Sequence, residues 1–170
     1  YAPDSMYDSS AILTPGAGTG AVTYSIEAQT DLYGAPVTDD VATLDQNSGI
    51  LTVARSGKVT VKATKVSDGT YEEVSASYTL TIQKESHPGI VFDESAVEVP
   101  FETGTYIQSA KSSLANDIVT YLIPNADEQQ YADIDAVSGT LTLKAPGTVN
   151  VQAVSNGNDC YERASATYAV

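Results

Sequence analysis

The sequence predicts an all-β protein made of two tandem immunoglobulin-like antiparallel β-sandwiches, and three observations carry that expectation. The chain repeats itself. The repeated blocks alternate apolar with polar residues. Turn residues recur between the blocks, and no long segment has the 3.6-residue period of a helix.

The repeat is the firmest of the three. Ser48-Gly49-Ile50-Leu51-Thr52-Val53 returns as Ser138-Gly139-Thr140-Leu141-Thr142-Leu143, 90 residues on. At the same offset of 90, Gly57-Lys58-Val59-Thr60-Val61-Lys62-Ala63 returns as Gly147-Thr148-Val149-Asn150-Val151-Gln152-Ala153, and Tyr71-Glu72-Glu73-Val74-Ser75-Ala76-Ser77-Tyr78 as Tyr161-Glu162-Arg163-Ala164-Ser165-Ala166-Thr167-Tyr168. A constant offset over three blocks marks duplicated structural units. Upstream, Val22-Thr23-Tyr24-Ser25-Ile26 matches Val119-Thr120-Tyr121-Leu122-Ile123 at an offset of 97. The extra seven residues are expected in the loop around Thr30 to Asp40, longer in the first copy, because exposed connections accept insertions at little cost.

Taken in order, each block reads as a strand. Val22, Tyr24 and Ile26 alternate with polar residues, and Ala42 with Leu44 continues the pattern. In Val59 to Ala63, Val59, Val61 and Ala63 share one face, while Thr60 and Lys62 take the other. In Ser75 to Ile82, Ala76, Tyr78, Leu80 and Ile82 alternate with Ser75, Ser77, Thr79 and Thr81. Period two with small polar residues on the wet face describes half-buried antiparallel strands. Asn47-Ser48-Gly49, Ser56-Gly57 and Ser67-Asp68-Gly69 supply the turns between them.

The first module is expected over residues 1–85 and the second over 86–170, joined by the polar, Pro-Gly-broken stretch from Gln83 to Gly89. Gly89-Ile90-Val91-Phe92 to Val97-Glu98-Val99 reads as a first strand of the second module, with no counterpart ahead of the first. The second module stops at Tyr168-Ala169-Val170, where the first runs on to Ile82, so its last strand reads as truncated. Either the chain is a fragment trimmed at both ends, or the first copy opens differently. It begins at Tyr1 without a basic-then-apolar leader, as a mature or excised piece would.

Composition narrows the function classes. An apolar share of 42 % in 170 residues supports packed cores. A net charge of −14 argues against nucleic acid, whose binding depends on cations displacing counterions, and against anionic membrane surfaces. No stretch approaches the ~20 apolar residues that span a bilayer. The acidity keeps copies apart, which suits a monomer, and attracts cations such as Ca²⁺. Cys160 is alone, so no intramolecular disulfide is available.

Several blocks together resemble a known family. Val22-Thr23-Tyr24, Val41-Ala42-Thr43-Leu44-Asp45, Ser48 to Val53, Gly57 to Ala63 and Ala76 to Ile82 look like the bacterial group 2 Ig-like repeat, which includes the invasin- and intimin-type stalk modules. The second copy carries the same run from Val119 to Val170. The segments at Tyr71 and Tyr161 look like variants found in large surface proteins of gut Bacteroidetes and in long adhesins. The resemblance implies a location outside the cell or on its surface, in an exported bacterial protein. It also implies a non-catalytic spacer or adhesion role, with neighbouring domains of the parent chain as partners.

The candidate sites are few. Asp45-Gln46-Asn47-Ser48-Gly49 begins like a calcium loop, but Ile50 and Ser56 stand where an EF-hand needs Gly and Glu, so it reads as a hairpin turn. Asp39-Asp40, Asp93-Glu94 and Asp127-Glu128 are the carboxylate pairs whose oxygens would converge on a bound Ca²⁺; simple solvation is the expected state, and no cofactor is assigned. Gly16-Ala17-Gly18-Thr19-Gly20 lacks the Lys and helix of a phosphate loop. His87 sits in the linker and makes no zinc site with one distant Cys. No Gly-x-Ser-x-Gly elbow is present, so no enzyme is expected. Lys58 and Lys62 fall on the outward phase, which disfavours an isopeptide crosslink. Tyr24, Tyr78, Tyr121 and Tyr168 are assigned to the cores, and Tyr71 and Tyr161 to structural corners. That leaves Tyr33 in the longer loop, with Tyr1, Tyr7, Tyr106 and Tyr131. Tyr33, beside Asp39 and Asp40, is the expected contact if the first module binds a glycan or a host protein.

Overall fold

A computed structural model describes residues 4–10 and 18–170; Tyr1, and Gly16 and Ala17 of the glycine run, lie outside the described residues. The chain divides into two compact units, 1–85 and 86–170. Each consists of antiparallel strands with no α-helix among the described residues, and each is an immunoglobulin-like sandwich of two three-stranded sheets.

In unit 1, β1 (Met6–Asp8), β4 (Ile50–Val53) and β3 (Ala42–Leu44) form one sheet in the order β1-β4-β3. β2 (Val22–Thr30), β5 (Gly57–Lys65) and β6 (Val74–Ile82) form the other, with β5 in the middle. The alternation read from the sequence fixes which face is buried. Val59, Val61 and Ala63 of β5 are fully buried, as are Ala42, Leu51 and Ile82 from the strands around them. Residues of both sheets meet in this one core, which defines a sandwich.

Unit 2 repeats the arrangement. β8 (Thr105–Tyr106), β12 (Leu141–Leu143) and β11 (Ala132–Ile134) form one sheet, and β10 (Val119–Leu122), β13 (Asn150–Ser155) and β14 (Ala164–Ala169) the other. The stretch expected to be one first strand is two short pieces. β7 (Ile90–Val91) pairs antiparallel with β9 (Lys111–Ser112), and the chain then crosses so that Ala96 bridges parallel to Ala169. The polar run Asp93-Glu94-Ser95 separates the two and has no apolar face to bury.

Pairing also places three tyrosines that the sequence left unassigned. Tyr7 lies opposite Leu51, and Tyr106 opposite Leu141, so β1 and β8 are equivalent strands. Their offset of 99 was invisible among blocks offset by 90 and 97. Tyr7 packs against Tyr78 with ring centroids 6.2 Å apart, and Tyr106 and Tyr131 pack on the core of unit 2. All three are half-buried because the strand or turn that carries them lies against a sheet face.

The extra length of the first copy is also placed differently from expectation. β2 has nine residues and β10 has four, so part of the insertion lengthens a paired strand. β2 follows β5 out to Thr30 opposite Lys58, across an irregularity between Ile26 and Ala28. In unit 2 the corresponding stretch of β13 has no such partner. There the backbone N–H of Asn150 donates instead to the Glu128 carboxylate at 2.6 Å, on the 3-10 turn Ala126–Gln130. A buried ladder group must find an acceptor, and a side chain supplies it where the strand stops.

The two turns that precede β4 and β12 are the same object. Asp45 accepts the N–H groups of Asn47 and Ser48 at 3.0 and 2.7 Å, and Asp135 accepts those of Val137 and Ser138 at the same distances. Gly49 and Gly139 both have φ of 74°, and a Cβ on either would press on the ring of Tyr24 or Tyr121 at 3.0–3.1 Å. Only glycine meets both demands.

The equivalent tyrosines Tyr78 and Tyr168 differ in one respect. Tyr78 Oη shares a 2.9 Å hydrogen bond with buried Ser9, whereas Tyr168, 1 % exposed, has a hydroxyl with no partner among the described residues. Burial against Phe92, at 4.5 Å between ring centroids, together with the nearby Tyr106 and Tyr121, pushes the Tyr168 phenol up to about 12. Tyr168→Phe removes an unsatisfied buried hydroxyl and is expected to stabilise unit 2 by about 1 kcal/mol, while Tyr78→Phe loses a bond and costs unit 1 about 1 kcal/mol. Urea denaturation of the two variants checks this; effects of equal sign would contradict it.

Candidate functional site

Two regions merit building from the residues up: the turn that carries Tyr33, and a polar cluster that the sequence did not reveal.

The first lies between β2 and β3 of unit 1. Asp31 organises it by accepting the N–H groups of Tyr33 and Ala35 at 2.9 and 2.8 Å, and a bridge between Thr30 and Pro36 closes the base. Gly34, with φ of 93°, allows the reversal. Tyr33 stands at the tip with its side chain almost wholly in solvent, 95 % exposed. Asp39 and Asp40 are tied to other partners. Asp39 faces Arg55 at 4.0 Å while remaining largely exposed, and Asp40 accepts from Gln29 Nε2 at 3.0 Å. Gln29 in turn accepts the Ala42 N–H, so Asp40 braces the entry to β3. The other carboxylate pairs are also engaged separately. Asp93 pairs with Lys111 at 2.6 Å, and Glu128 holds Asn150. Among the described residues, no group of three or more His, Cys, Asp or Glu side chains is arranged to hold a metal ion. Lys62, one of the two outward-phase lysines, lies 3.7 Å from Glu27 on the sheet surface.

The second region is in unit 2 and corrects the reading of His87 as a linker residue. Its side chain is 2 % exposed and donates through Nε2, at 3.1 Å, to Asp117, itself 4 % exposed. His87 Nδ1 accepts the N–H of Gly89 at 3.0 Å, so this nitrogen carries a lone pair and Nε2 carries the proton that goes to Asp117. Ser112 Oγ donates to Asp117 Oδ2 and Ser155 Oγ to Oδ1, each at 2.6 Å. Both hydroxyls also accept a backbone N–H, from Leu114 and Gly157 respectively. One buried carboxylate thereby ties four segments together: the start of the unit, β9, the approach to β10 and the end of β13.

Burial works against the Asp117 charge, but the bonds from Ser112, Ser155 and His87 outweigh it and hold the carboxyl below its usual range. The chemistry available here is structural. In a Ser-His-Asp nucleophilic triad the serine donates to a histidine base. Here both serines donate to the aspartate, and the remaining histidine nitrogen is filled by a backbone N–H.

A groove of about 270 Å³ opens beside the cluster, lined by Leu114, Asn116, Asp117, Ile118, Asn156 and Asn158. Its rim is amide-rich and carries Ile118, which is 80 % exposed. Unit 1 has a groove of about 240 Å³ at the equivalent corner, lined by Lys65, Asp68 and Tyr71 among others. Asp68 and Asn158 are the matching residues there, and each caps a turn by accepting the N–H of Tyr71 or Tyr161 at 3.0 Å. The tyrosines at these corners are placed by that turn, as their spacing suggested.

A signal for the buried cluster did exist. Where unit 2 has Asp117 and Ser155, unit 1 has Gly20 and Lys65. A Cβ on Gly20 would strike the carbonyl oxygen of Val66, so unit 1 has no room for a side chain at that place. Lys65 reaches over the gap to the Gly18 carbonyl at 3.0 Å. The paired change from Gly and Lys to Asp and Ser marks a polar knot present in one copy alone.

No family model matches the chain, and no curated protein matches it in sequence. Among solved structures it is similar to Drosophila N-cadherin EC1-3, at 11 % identity and a TM-score of 0.48, over 94 % of this chain and 58 % of that one. It is also similar to extracellular cadherin domains 3-6 of Protocadherin Gamma B2, at 16 % identity and a TM-score of 0.39, over 88 % of this chain and 42 % of that one. Mouse Protocadherin-24 EC1-3 matches at 16 % identity and a TM-score of 0.35, over 88 % and 58 %. The chain thus spans less than two thirds of each of these proteins. At these scores the likenesses carry no argument about function.

Asp117→Asn retains the shape of the cluster but replaces one acceptor oxygen with a donor facing donors. It is expected to cost unit 2 about 2–4 kcal/mol at neutral pH. The sign with pH follows from the lowered pKa. The unfolded chain, near 3.8, takes up its proton before the folded one does, so the Asp117 contribution is present above that value and is lost as pH falls through the lower folded value. Denaturation curves from pH 7 to 2 check this: the gap between the wild type and Asp117→Asn should close at the acid end, and a gap independent of pH would refute it.

Proposed function

We propose that the chain is a pair of non-catalytic structural modules, residues 1–85 and 86–170, from an exported bacterial surface protein of the group 2 Ig-like kind, serving as a spacer or adhesion segment. The observation that carries this reading is how the ordered polar side chains are used. Asp45, Asp135, Asp68, Asn158, Glu128 and Asp117 are each engaged in fixing a turn or a strand edge of their own unit. A stalk module needs a rigid, soluble body and no reaction centre, and a net charge of −14 provides the solubility. No helix among the described residues is long and apolar enough to cross a membrane. The reading requires neither a cofactor nor a bound Ca²⁺.

A second reading is favoured by one observation, the near-complete exposure of Tyr33 on a turn that Asp31 already holds rigid. An aromatic ring presented in this way suits stacking on a sugar or insertion into a protein partner, at little entropic cost. Asp39 and Asp40 would then supply acceptors nearby in sequence.

A glycan array and a surface-display assay separate the two readings. On the spacer reading, the 170-residue chain shows no reproducible glycan signal, and Tyr33→Ala leaves the reach of a displayed reporter unchanged while deletion of one unit shortens it. Reproducible binding that is lost on Tyr33→Ala would replace the spacer reading with the second one.

A further inference from the structure

The groove of unit 2 beside the Asp117 cluster lies between the approach to β10 and the exit from β13, and its polar groups are largely unspent. Asn158 Oδ1 accepts the N–H groups of Cys160 and Tyr161 at 2.8 and 3.0 Å. The carboxamide is thereby held in place, and both hydrogens on its Nδ2 remain for another acceptor. Asn116 and Asn156 line the same groove, exposed and without a side-chain hydrogen bond among the described residues. Asn116 is presented by a left-handed backbone, with φ of 56°. Asp117, buried at the floor, takes three donors, from His87, Ser112 and Ser155, of about four that a carboxylate accepts. Ile118, 80 % exposed, adds apolar surface beside these groups.

The equivalent corner of unit 1 is an internal control. Ala21 stands where unit 2 has Ile118, and Val66 and Asp68 stand where it has Asn156 and Asn158. Asp68 spends its oxygens on the N–H groups of Thr19, Thr70 and Tyr71, and Lys65 donates to the Gly18 carbonyl. That corner closes on itself, whereas the corner of unit 2 leaves donors and acceptors facing outward.

Those groups select among ligand classes. An anion would meet no Lys or Arg in the groove and would sit over the Asp117 charge, in a chain of net charge −14. A cation would find one carboxylate, already shared among three donors. An apolar ligand would strip water from three carboxamides without replacing their hydrogen bonds. A hydroxyl both donates and accepts, so it suits either end of a carboxamide. Neighbouring hydroxyls on a sugar ring can engage several carboxamides at once while the C–H face of the ring rests on Ile118. The volume of about 270 Å³ lies just under the range of ordinary small-molecule sites and suits one ring rather than a chain of them.

We propose that this groove of unit 2 is a binding site for a single neutral sugar ring, held by the carboxamides of Asn116, Asn156 and Asn158 and by Ile118. The site is in the other unit from Tyr33 and owes nothing to it. A ligand of about a dozen heavy atoms binds with a Kd of roughly 1–10 mM, too weakly to survive the washing of a glycan array. A silent array is therefore compatible with this site, and the spacer reading does not depend on it.

The test titrates the 170-residue chain with the methyl glycosides of glucose, galactose, mannose and N-acetylglucosamine, up to about 50 mM, and follows backbone and side-chain amide NMR shifts. At least one glycoside is expected to shift the amides of Asn116, Ile118 and Asn158 saturably. Asn158→Asp keeps the acceptor that closes the turn, as Asp68 does in unit 1, but removes the Nδ2 donors. It is expected to weaken binding about tenfold, the worth of one net hydrogen bond, with the thermal midpoint unchanged. Ile118→Ala, which installs the residue of unit 1 at an exposed position, should weaken it severalfold, and Tyr33→Ala should leave it unchanged. Saturable shifts at the Tyr33 turn instead, or full binding by both Asn158→Asp and Ile118→Ala, would overturn the site. No saturable shift from any of the four glycosides, or saturation of the same amides by inorganic phosphate, would overturn the ligand class.

Discussion

Each unit depends on one central strand that must be satisfied along both edges and buried on one face. β5 in unit 1 and β13 in unit 2, with Val149 just ahead of it, carry out this task with matching inward residues, Val59, Val61 and Ala63 against Val149, Val151 and Ala153. The face is easy to bury, because alternation sends every second side chain inward. The edges are harder. Every ladder N–H on both sides needs an acceptor, and water cannot supply it once the sheets have closed. In unit 1 the nine-residue β2 meets the need with backbone carbonyls. In unit 2, where β10 stops after four residues, Glu128 reaches the Asn150 N–H instead. The length difference between the copies is thus absorbed by exchanging a strand for a side chain, while the inward residues of the central strand stay the same.

What the sequence revealed depended on how local the physics was. Alternation identified the faces of β5 and β6, and the Asp-x-x-Ser-Gly turns before β4 and β12 were legible because one carboxylate closes them over three or four residues. The equivalence of β1 and β8 was missed because its evidence is a pairing with a strand more than thirty residues away, Tyr7 with Leu51 and Tyr106 with Leu141. The His87 cluster was missed for the same reason. Its donors come from positions 87, 112 and 155, and only closure of the unit brings them to Asp117. A single histidine beside Pro-Gly looks like linker chemistry until its partner is known. For Tyr33 the sequence placed the residue in an exposed connection, and the structure shows the turn that holds it, but its tie is to Asp31 rather than to Asp39 or Asp40.

The acidity of the chain has a related logic. With 22 acidic and 8 basic side chains, most carboxylates cannot find a cation within the protein. Several of the ordered ones use backbone N–H groups instead. The Ser48 N–H leads the effect that lowers Asp45, and the Ser138 N–H does the same for Asp135. At Asp68 the N–H groups of Thr19, Tyr71 and Thr70 bring the carboxyl to about 2. Glu128 is lowered chiefly by the Asn150 N–H. Such bonds differ from surface ion pairs in one consequential way. An exposed Lys–carboxylate pair is weak and fades as salt screens it, whereas a carboxylate that closes a turn supplies an acceptor the backbone requires at any ionic strength. A strongly acidic protein can therefore keep its turns fixed without recruiting counter-charges, and its negative surface stays free to repel its own copies. Asp117 carries this arrangement to its limit, a carboxylate taken out of water whose donors are two neutral hydroxyls and a histidine that a backbone N–H fixes in its neutral tautomer.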